Sequence, residues 1–287
     1  MIDFFRKKFS LLFCASVAAS LISCNKSTIK TDWEEMNLKG DVKSYWEREY
    51  TAYAGESGNA EKGRLVKSIK FTFNKDGYLS EVDWFDSDAD TLQKVISEFD
   101  QTGRPIKKRR YDEFGRLSSC SYFTYDEKGR LLNTEFRDTD EATIMIEATE
   151  YNDENLIETT TQTVPKNGEN IVTQRIIRQM AKNGLPKETK VYNEKKELIN
   201  YRKESYNEQE QLVAFDVYAS DEQTKILSAQ FEYDTWGNVV KQQANGEEEY
   251  KTQTYKYIFD SKKNWTSVAT YGDGEVQGLT EREIKYY

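Results

Sequence analysis

The 287-residue chain contains no histidine. That absence removes the side chain that titrates nearest neutral pH, and with it His-based acid–base chemistry, His-containing triads and most zinc or copper sites. Proline occurs only three times and cysteine three times. Cys14 and Cys24 fall in the first 24 residues, so Cys120 stands alone in the body of the chain and no internal disulfide is expected there. Cys120 reads as a small, half-buried apolar residue in mid-strand rather than a reactive thiol. Apolar spacing at helical period is scarce.

What is present is charge and aromatic surface. Charged residues make up 32% of the chain against 37% hydrophobic, with 19 Tyr, 14 Phe and 5 Trp. This balance suits a half-exposed β surface better than a helical bundle. The chain opens with Arg6, Lys7 and Lys8, followed by an apolar stretch from Phe9 to Ile22. Fourteen residues are too few to span a bilayer, for which about 20 are needed, so the segment is expected to be a cleaved export signal. Leu21-Ile22-Ser23-Cys24 directly follows and resembles the lipobox of bacterial lipoproteins. That resemblance implies lipidation of Cys24, residues 1–23 as signal peptide, residues 24–40 as lipidated terminus, linker and short cap, and residues 41–287 as one repeat domain. Asp32 is the expected N-cap of a brief helix through Met36.

Residues 1–23 carry Asp3, Arg6, Lys7 and Lys8, so their removal takes the formal charge from −9 to −11. An acidic surface excludes nucleic acid and disfavours an anionic bilayer surface as partners. The carboxylates look evenly spread along the sequence, which points to solubility.

The dominant feature is a repeat: an aromatic residue, Asp or Asn, two variable residues, Gly, one variable residue, then an apolar one. Copies begin at Phe73, Phe99, Tyr111, Tyr125, Tyr151, Met180, Tyr192, Tyr206, Tyr233 and Phe259. Setting Tyr111 and Tyr192 aside, the steps are 26, 26, 26, 29, 26, 27 and 26. Tyr111 and Tyr192 each lie 12 residues after one copy and 14 before the next, and weaker turn signals recur at that intermediate position elsewhere. The unit is therefore two strands and two turns in about 26 residues, with Asp or Asn opening each turn and Gly taking the positive φ. Between turns the pattern has period two, with aromatics on one face and Lys, Glu, Gln and Thr on the other. The expected fold is all-β: an extended antiparallel meander of about eighteen strands, forming a curled or superhelical sheet able to close in part on itself. The stretch AGESGNAEKG at 54–63 is expected to be a long turn that breaks the rhythm.

YDEFGRL at Tyr111, YDEKGRL at Tyr125 and YDTWGNV at Tyr233 resemble the YD repeat of RHS-type proteins. LKGDVKSYWEREY followed by such repeats is similar to small YD/RHS-repeat lipoproteins of Gram-negative bacteria. The resemblance covers roughly residues 36 to 271, though the copies at Tyr151, Tyr192, Tyr206 and Phe259 lack Gly. It implies a cell-envelope location, with an outer-membrane anchor. Large RHS proteins enclose a toxin in a shell; this chain is too short for a sizeable shell, so that role is not carried over.

No carboxylate pair stands at a distinctive spacing, and no cofactor is implied. Asp86-Ser87-Asp88-Ala89-Asp90 opens like a calcium loop but has Thr91 where Gly is needed and Ser97 where a bidentate Glu is needed, so it reads as an acidic turn. Phe114 and Trp236 occupy the same template position, inside the turn just before Gly, and are the candidate ligand-binding residues: exposed aromatics there suit a sugar ring or a partner protein, or else fold over the rim. Trp265 and Trp84 are expected to be packed. The leading expectation is a non-enzymatic, lipid-anchored envelope protein whose sheet binds a protein partner. A carbohydrate-binding surface lipoprotein and an immunity-type lipoprotein that neutralises a toxin are the alternatives.

Overall fold

A computed structural model describes residues 30–56, 58–246 and 250–287; the proposed signal peptide and Cys24 lie outside the described residues. One short helix, α1 (Asp32–Glu35), precedes eighteen strands. These are β1 (Val42–Ala54), β2 (Ala60–Phe73), β3 (Leu79–Phe85), β4 (Thr91–Phe99), β5 (Pro105–Tyr111), β6 (Leu117–Tyr125), β7 (Leu131–Arg137), β8 (Thr143–Asn152) and β9 (Ile157–Lys166). They continue as β10 (Glu169–Met180), β11 (Pro186–Asn193), β12 (Leu198–Tyr206), β13 (Leu212–Tyr218), β14 (Lys225–Tyr233), β15 (Val239–Gly246), β16 (Tyr250–Phe259), β17 (Trp265–Gly272) and β18 (Glu275–Tyr286). Each strand pairs antiparallel with the next, and β18 pairs with β1 from Val42↔Tyr286 to Tyr50↔Leu279. The meander is thus a closed barrel, beyond the partial closure expected from sequence.

The turns explain the repeat. In most hairpins the side-chain oxygen of the opening Asp or Asn accepts two backbone N–H groups, two and four residues on. Asp112 accepts from Phe114 at 3.0 Å and Arg116 at 2.9 Å, and Asp126 from Lys128 at 2.9 Å and Arg130 at 2.8 Å. The fourth turn residue then takes positive φ. Gly115 does so at +73°, but Ala89 (+67°), Glu141 (+60°), Lys196 (+63°), Glu210 (+64°) and Lys263 (+71°) fill the same position, so copies without Gly keep the turn geometry at a cost in backbone strain. Arg in the next position reaches back to the opening carboxylate, as in Arg116–Asp112 at 2.8 Å and Arg130–Asp126 at 2.7 Å. The Arg116 hydrogen bond holds the Asp112 carboxyl below the usual carboxylate range.

Beside nearly every turn the register slips by one residue. Arg110 faces Ser119 and Tyr111 faces Leu117, which leaves Ser118 as a bulge; Leu92, Ile144 and Ile199 occupy the equivalent place in β4, β8 and β12. Ser80, Ser118 and Thr266 use their hydroxyls there to cap a cross-strand carbonyl, at 3.0, 3.1 and 3.3 Å. Bulges sharpen the right-handed twist, and their repetition supplies the curvature that brings β18 round to β1. The β8–β9 hairpin, built from the degenerate copy YNDENLI, has no register slip.

Turns that follow even-numbered strands lie on the rim holding the start of β1, here the near rim; the others form the far rim. Tyrosine hydroxyls fasten near-rim hairpins to their neighbours: Tyr125 to the Pro105 carbonyl (2.7 Å), Tyr151 to Leu131 (2.9 Å), Tyr233 to Leu212 (2.7 Å) and Tyr257 to Val239 (2.8 Å). Tyr287 closes the seam through the Phe73 carbonyl at 2.6 Å.

Three expectations need correction. The stretch 54–63 is a tight hairpin between unusually long strands, because β1 and β2 pair out to Ala54↔Ala60. The N-cap of α1 is Thr31 rather than Asp32, in a reciprocal capping box with Glu34. Cys120 is fully buried rather than half-buried.

Gly103 and Gly115 separate two costs. Both need positive φ, but a Cβ at Gly103 would lie 2.0 Å from the Tyr78 ring whereas one at Gly115 meets open space. Gly115→Ala is expected to cost about 1 kcal/mol of backbone strain and Gly103→Ala clearly more, read as the difference in urea midpoints. Equal costs would mean that Tyr78 does not sit against this turn.

Candidate functional site

The N-terminal segment defines the inside of the barrel. It bridges turns on opposite sides of the near rim: the Trp33 amide donates to the Gly77 carbonyl in the β2–β3 turn (3.2 Å), and Lys30 pairs with Glu210 in the β12–β13 turn (4.0 Å). Eight strands separate those turns by the shorter way round, so the segment crosses the mouth as a lid. Trp33, Met36, Phe71 and Ile284 pack around the buried Leu38, Val42, Tyr45 and Phe73, while the Lys108 ammonium of β5 acts on the lid carboxylates Asp32 and Glu35. The face carrying Tyr45, Phe71 and Lys108 therefore looks inward, and cross-strand pairing carries that parity unbroken round the ring.

Two departures from the repeat hold the lid. Most strong copies place Arg after Gly, but the β14–β15 and β16–β17 turns have Asn238 and Asn264. Asn264 clasps the Lys39 backbone in both directions, accepting from its N–H and donating to its carbonyl, each at 2.8 Å. Asn37 donates to the Trp236 carbonyl at 2.8 Å and lies 3.5 Å from Asn238. The Trp33 indole donates to the Val42 carbonyl (2.9 Å), and Asp32 accepts from Leu79 N–H (2.6 Å). The sequence marks this segment as a linker and short cap but not its place across the mouth, for which the Asn-for-Arg exchange was the available signal.

The inner wall mixes apolar and charged groups. Phe215, Val217 and Ala229 form one buried cluster, and Arg282 stacks on Trp265 (3.4 Å) and pairs with Glu47 (2.9 Å). Trp265 and Trp84 are partly buried, on packed faces as expected. Lys108, Arg110 and Asn200 are solvent-exposed on the inward face, so part of the lumen wall is wetted, in keeping with the open interior of barrels of this strand number. Burial raises the pKa of Glu204, whose Oε2 has no hydrogen-bond partner.

The outer wall is polar. Every strand except β6, β9 and β17 places Lys, Arg, Asp or Glu outward, and cross-strand ion pairs recur: Arg48–Glu283 (3.2 Å), Lys94–Glu81 (3.2 Å), Lys225–Asp216 (2.7 Å) and Lys241–Glu232 (2.9 Å). Among the described residues no group of three or more Asp, Glu or Cys is arranged to hold a metal ion. The Asp86 side chain accepts the N–H groups of Asp88 and Asp90, an ordinary acidic turn.

Acidity, expected to be spread out, is gathered at one end. Among described residues the far-rim connections carry 14 carboxylates against 3 basic side chains, and the near-rim connections 10 against 7. Phe114 and Trp236 are both exposed, at 71% and 44%. They lie at opposite ends, Phe114 on the far rim in the β5–β6 turn and Trp236 on the near rim, so they share no site. The Arg116 guanidinium lies over the Phe114 ring (4.7 Å) and the Lys263 ammonium over the Trp236 ring (5.4 Å).

No family model matches the chain and no curated protein matches it. Among solved structures it is similar to a porin-like protein of Bacteroides vulgatus at 9% identity and TM-score 0.37, over 86% of this chain and 99% of that one. A porin-like protein of Bacteroides uniformis has 10% identity and TM-score 0.30 over 86% and 98%, and the Tc holotoxin pore of Photorhabdus luminescens 10% and 0.20 over 82% and 18%. Scores this low transfer nothing from those proteins, and the barrel rests on its own strand pairing.

Enclosure and the nearby Asp32 charge push the Glu35 carboxyl up to about 7 although its side chain still reaches water; Lys30 and Lys108 pull the other way. If the lid opens, Glu35 returns toward its ordinary value of 4.5, so closure is expected to weaken as pH rises from there to about 7. Exchange protection of the Leu38 amide, bonded to the Trp33 carbonyl at 2.7 Å, is expected to fall from pH 5 to pH 8 after correction for intrinsic rates, and Glu35→Gln to flatten the change. Equal protection at both values would mean that Glu35 does not govern the lid.

Proposed function

We propose that this chain is a non-enzymatic, lipid-anchored envelope protein of the small YD/RHS-repeat lipoprotein type, whose barrel stands in water and serves a protein partner. The observation that carries the reading is the charged outer wall. A Lys or Arg facing lipid at the bilayer midplane costs roughly 2–4 kcal/mol, and here such residues recur round most of the circumference. A barrel with this wall suits the aqueous phase, with attachment left to the acyl chains on Cys24. Lys30 lies six peptide steps after Cys24, about 20 Å at full extension, so the anchor would turn the lidded near rim toward the membrane and the far rim away from it. A sugar-binding reading is weaker, because its two aromatics sit at opposite ends with a cation over each ring.

The test is the mature chain carrying Cys24→Ser, exported behind a cleavable signal. It is expected to be soluble without detergent and to lose the palmitate label that the wild type carries. A barrel that stays in carbonate-washed membranes with Cys24→Ser would be spanning the bilayer, and the reading would fall.

A further inference from the structure

The far rim carries an apolar crown as well as its acidic charge. Six consecutive far-rim hairpins, from β1–β2 to β11–β12, each expose at least one large apolar side chain: Tyr53 (55%), Leu92 (50%), Phe114 (71%), Ile144 (48%), Ile171 (39%) and Ile199 (55%). Leu92, Ile144 and Ile199 sit at the same bulge position, where the β5–β6 hairpin manages with Ser118, so the turn itself does not require an apolar residue there. Large apolar groups exposed on six successive hairpins of one rim suit a surface that another molecule covers.

We propose that the far rim is the docking edge for a partner protein presenting a cationic, apolar surface. This rests on the reading that the barrel stands in water, and names which of its surfaces the partner uses and the chemistry that surface demands. Charge selects among occupants. The fourteen carboxylates against three basic groups among the far rim's described residues would repel an anionic lipid headgroup layer, and two far rims of identical charge would repel each other, which disfavours a second copy of this chain. A basic partner is steered to this end from a distance and held by the crown on contact. The near rim has less net charge, and its mouth is already covered by the lid.

The probe is a fluorescent amphipathic helix of lysine and leucine, titrated into the mature Cys24→Ser chain at low and moderate salt. Leu92→Ser/Ile144→Ser/Ile199→Ser, which borrows the side chain found at Ser118, is expected to weaken binding at least tenfold with the thermal transition retained. The charge-matched pairs Asp88→Asn/Asp140→Asn on the far rim and Glu127→Gln/Glu208→Gln on the near rim separate location from net charge: the first is expected to weaken binding and speed its loss with salt, the second to leave it unchanged. If both pairs act alike, or the apolar variant binds normally, the proposal is overturned. Binding of phosphatidylglycerol vesicles through the same residues, or a dimer in sedimentation that the apolar variant dissolves, would replace the partner by a membrane surface or a second copy. A chain that needs detergent to stay in solution would instead overturn the aqueous-barrel reading on which the proposal stands.

Discussion

Most hairpins turn on a carboxylate or amide oxygen that accepts two backbone N–H groups of their own loop. That small cage is local, so it forms wherever the sequence supplies Asp or Asn, and it fixes the fourth turn residue in the left-handed region. Once the turn is fixed, the adjacent strand must absorb one extra residue, and the bulge follows. Eighteen strands then inherit a twist set at their turns, and closure is the sum of those local decisions. The copy YNDENLI lacks the bulge, while the other copies without Gly keep theirs.

Closure removes every exposed sheet edge, the ordinary hazard of a long antiparallel meander. It also divides the side chains into two populations that sequence periodicity alone cannot orient. Period two told which residues share a face; only the lid told which face is inside. Asn264 stands where other copies use Arg to brace their own turn and turns its amide to Lys39 instead, whereas Asn238 keeps the brace, donating to Asp234 at 3.0 Å, and leaves the Trp236 carbonyl to take Asn37.

Much of the fold was legible because its determinants are short-range. The turn phrase, the 12-plus-14 rhythm and the alternation of aromatics all operate within about 26 residues, and together they yield the strand number. What was not legible depends on addition over the whole ring. Full closure needs the accumulated twist of every bulge. The charge asymmetry was hidden because acidic turns alternate along the sequence with more balanced ones, and only folding sorts the two sets to opposite ends. The same sorting parted Phe114 from Trp236: identical template positions in copies of opposite parity lie a barrel length apart. Conversely, the crown residues escaped notice because an apolar residue beside a turn reads as packed, whereas Leu92, Ile144 and Ile199 share the outward alternation of Lys94, Ile146 and Lys203 and stand exposed at the rim.

The seam has a kinetic meaning. Neighbouring hairpins pair over a few residues, but Val42 meets Tyr286, so the last ladder to form carries nearly the largest sequence separation the chain permits. Loop closure over that span is slow, and until it happens β1 and β18 are open edges on an otherwise built sheet. The interval before closure is when a chaperone has most to protect and a second unfinished molecule has most to offer, which makes strand exchange at this one ladder the natural route to misassembly.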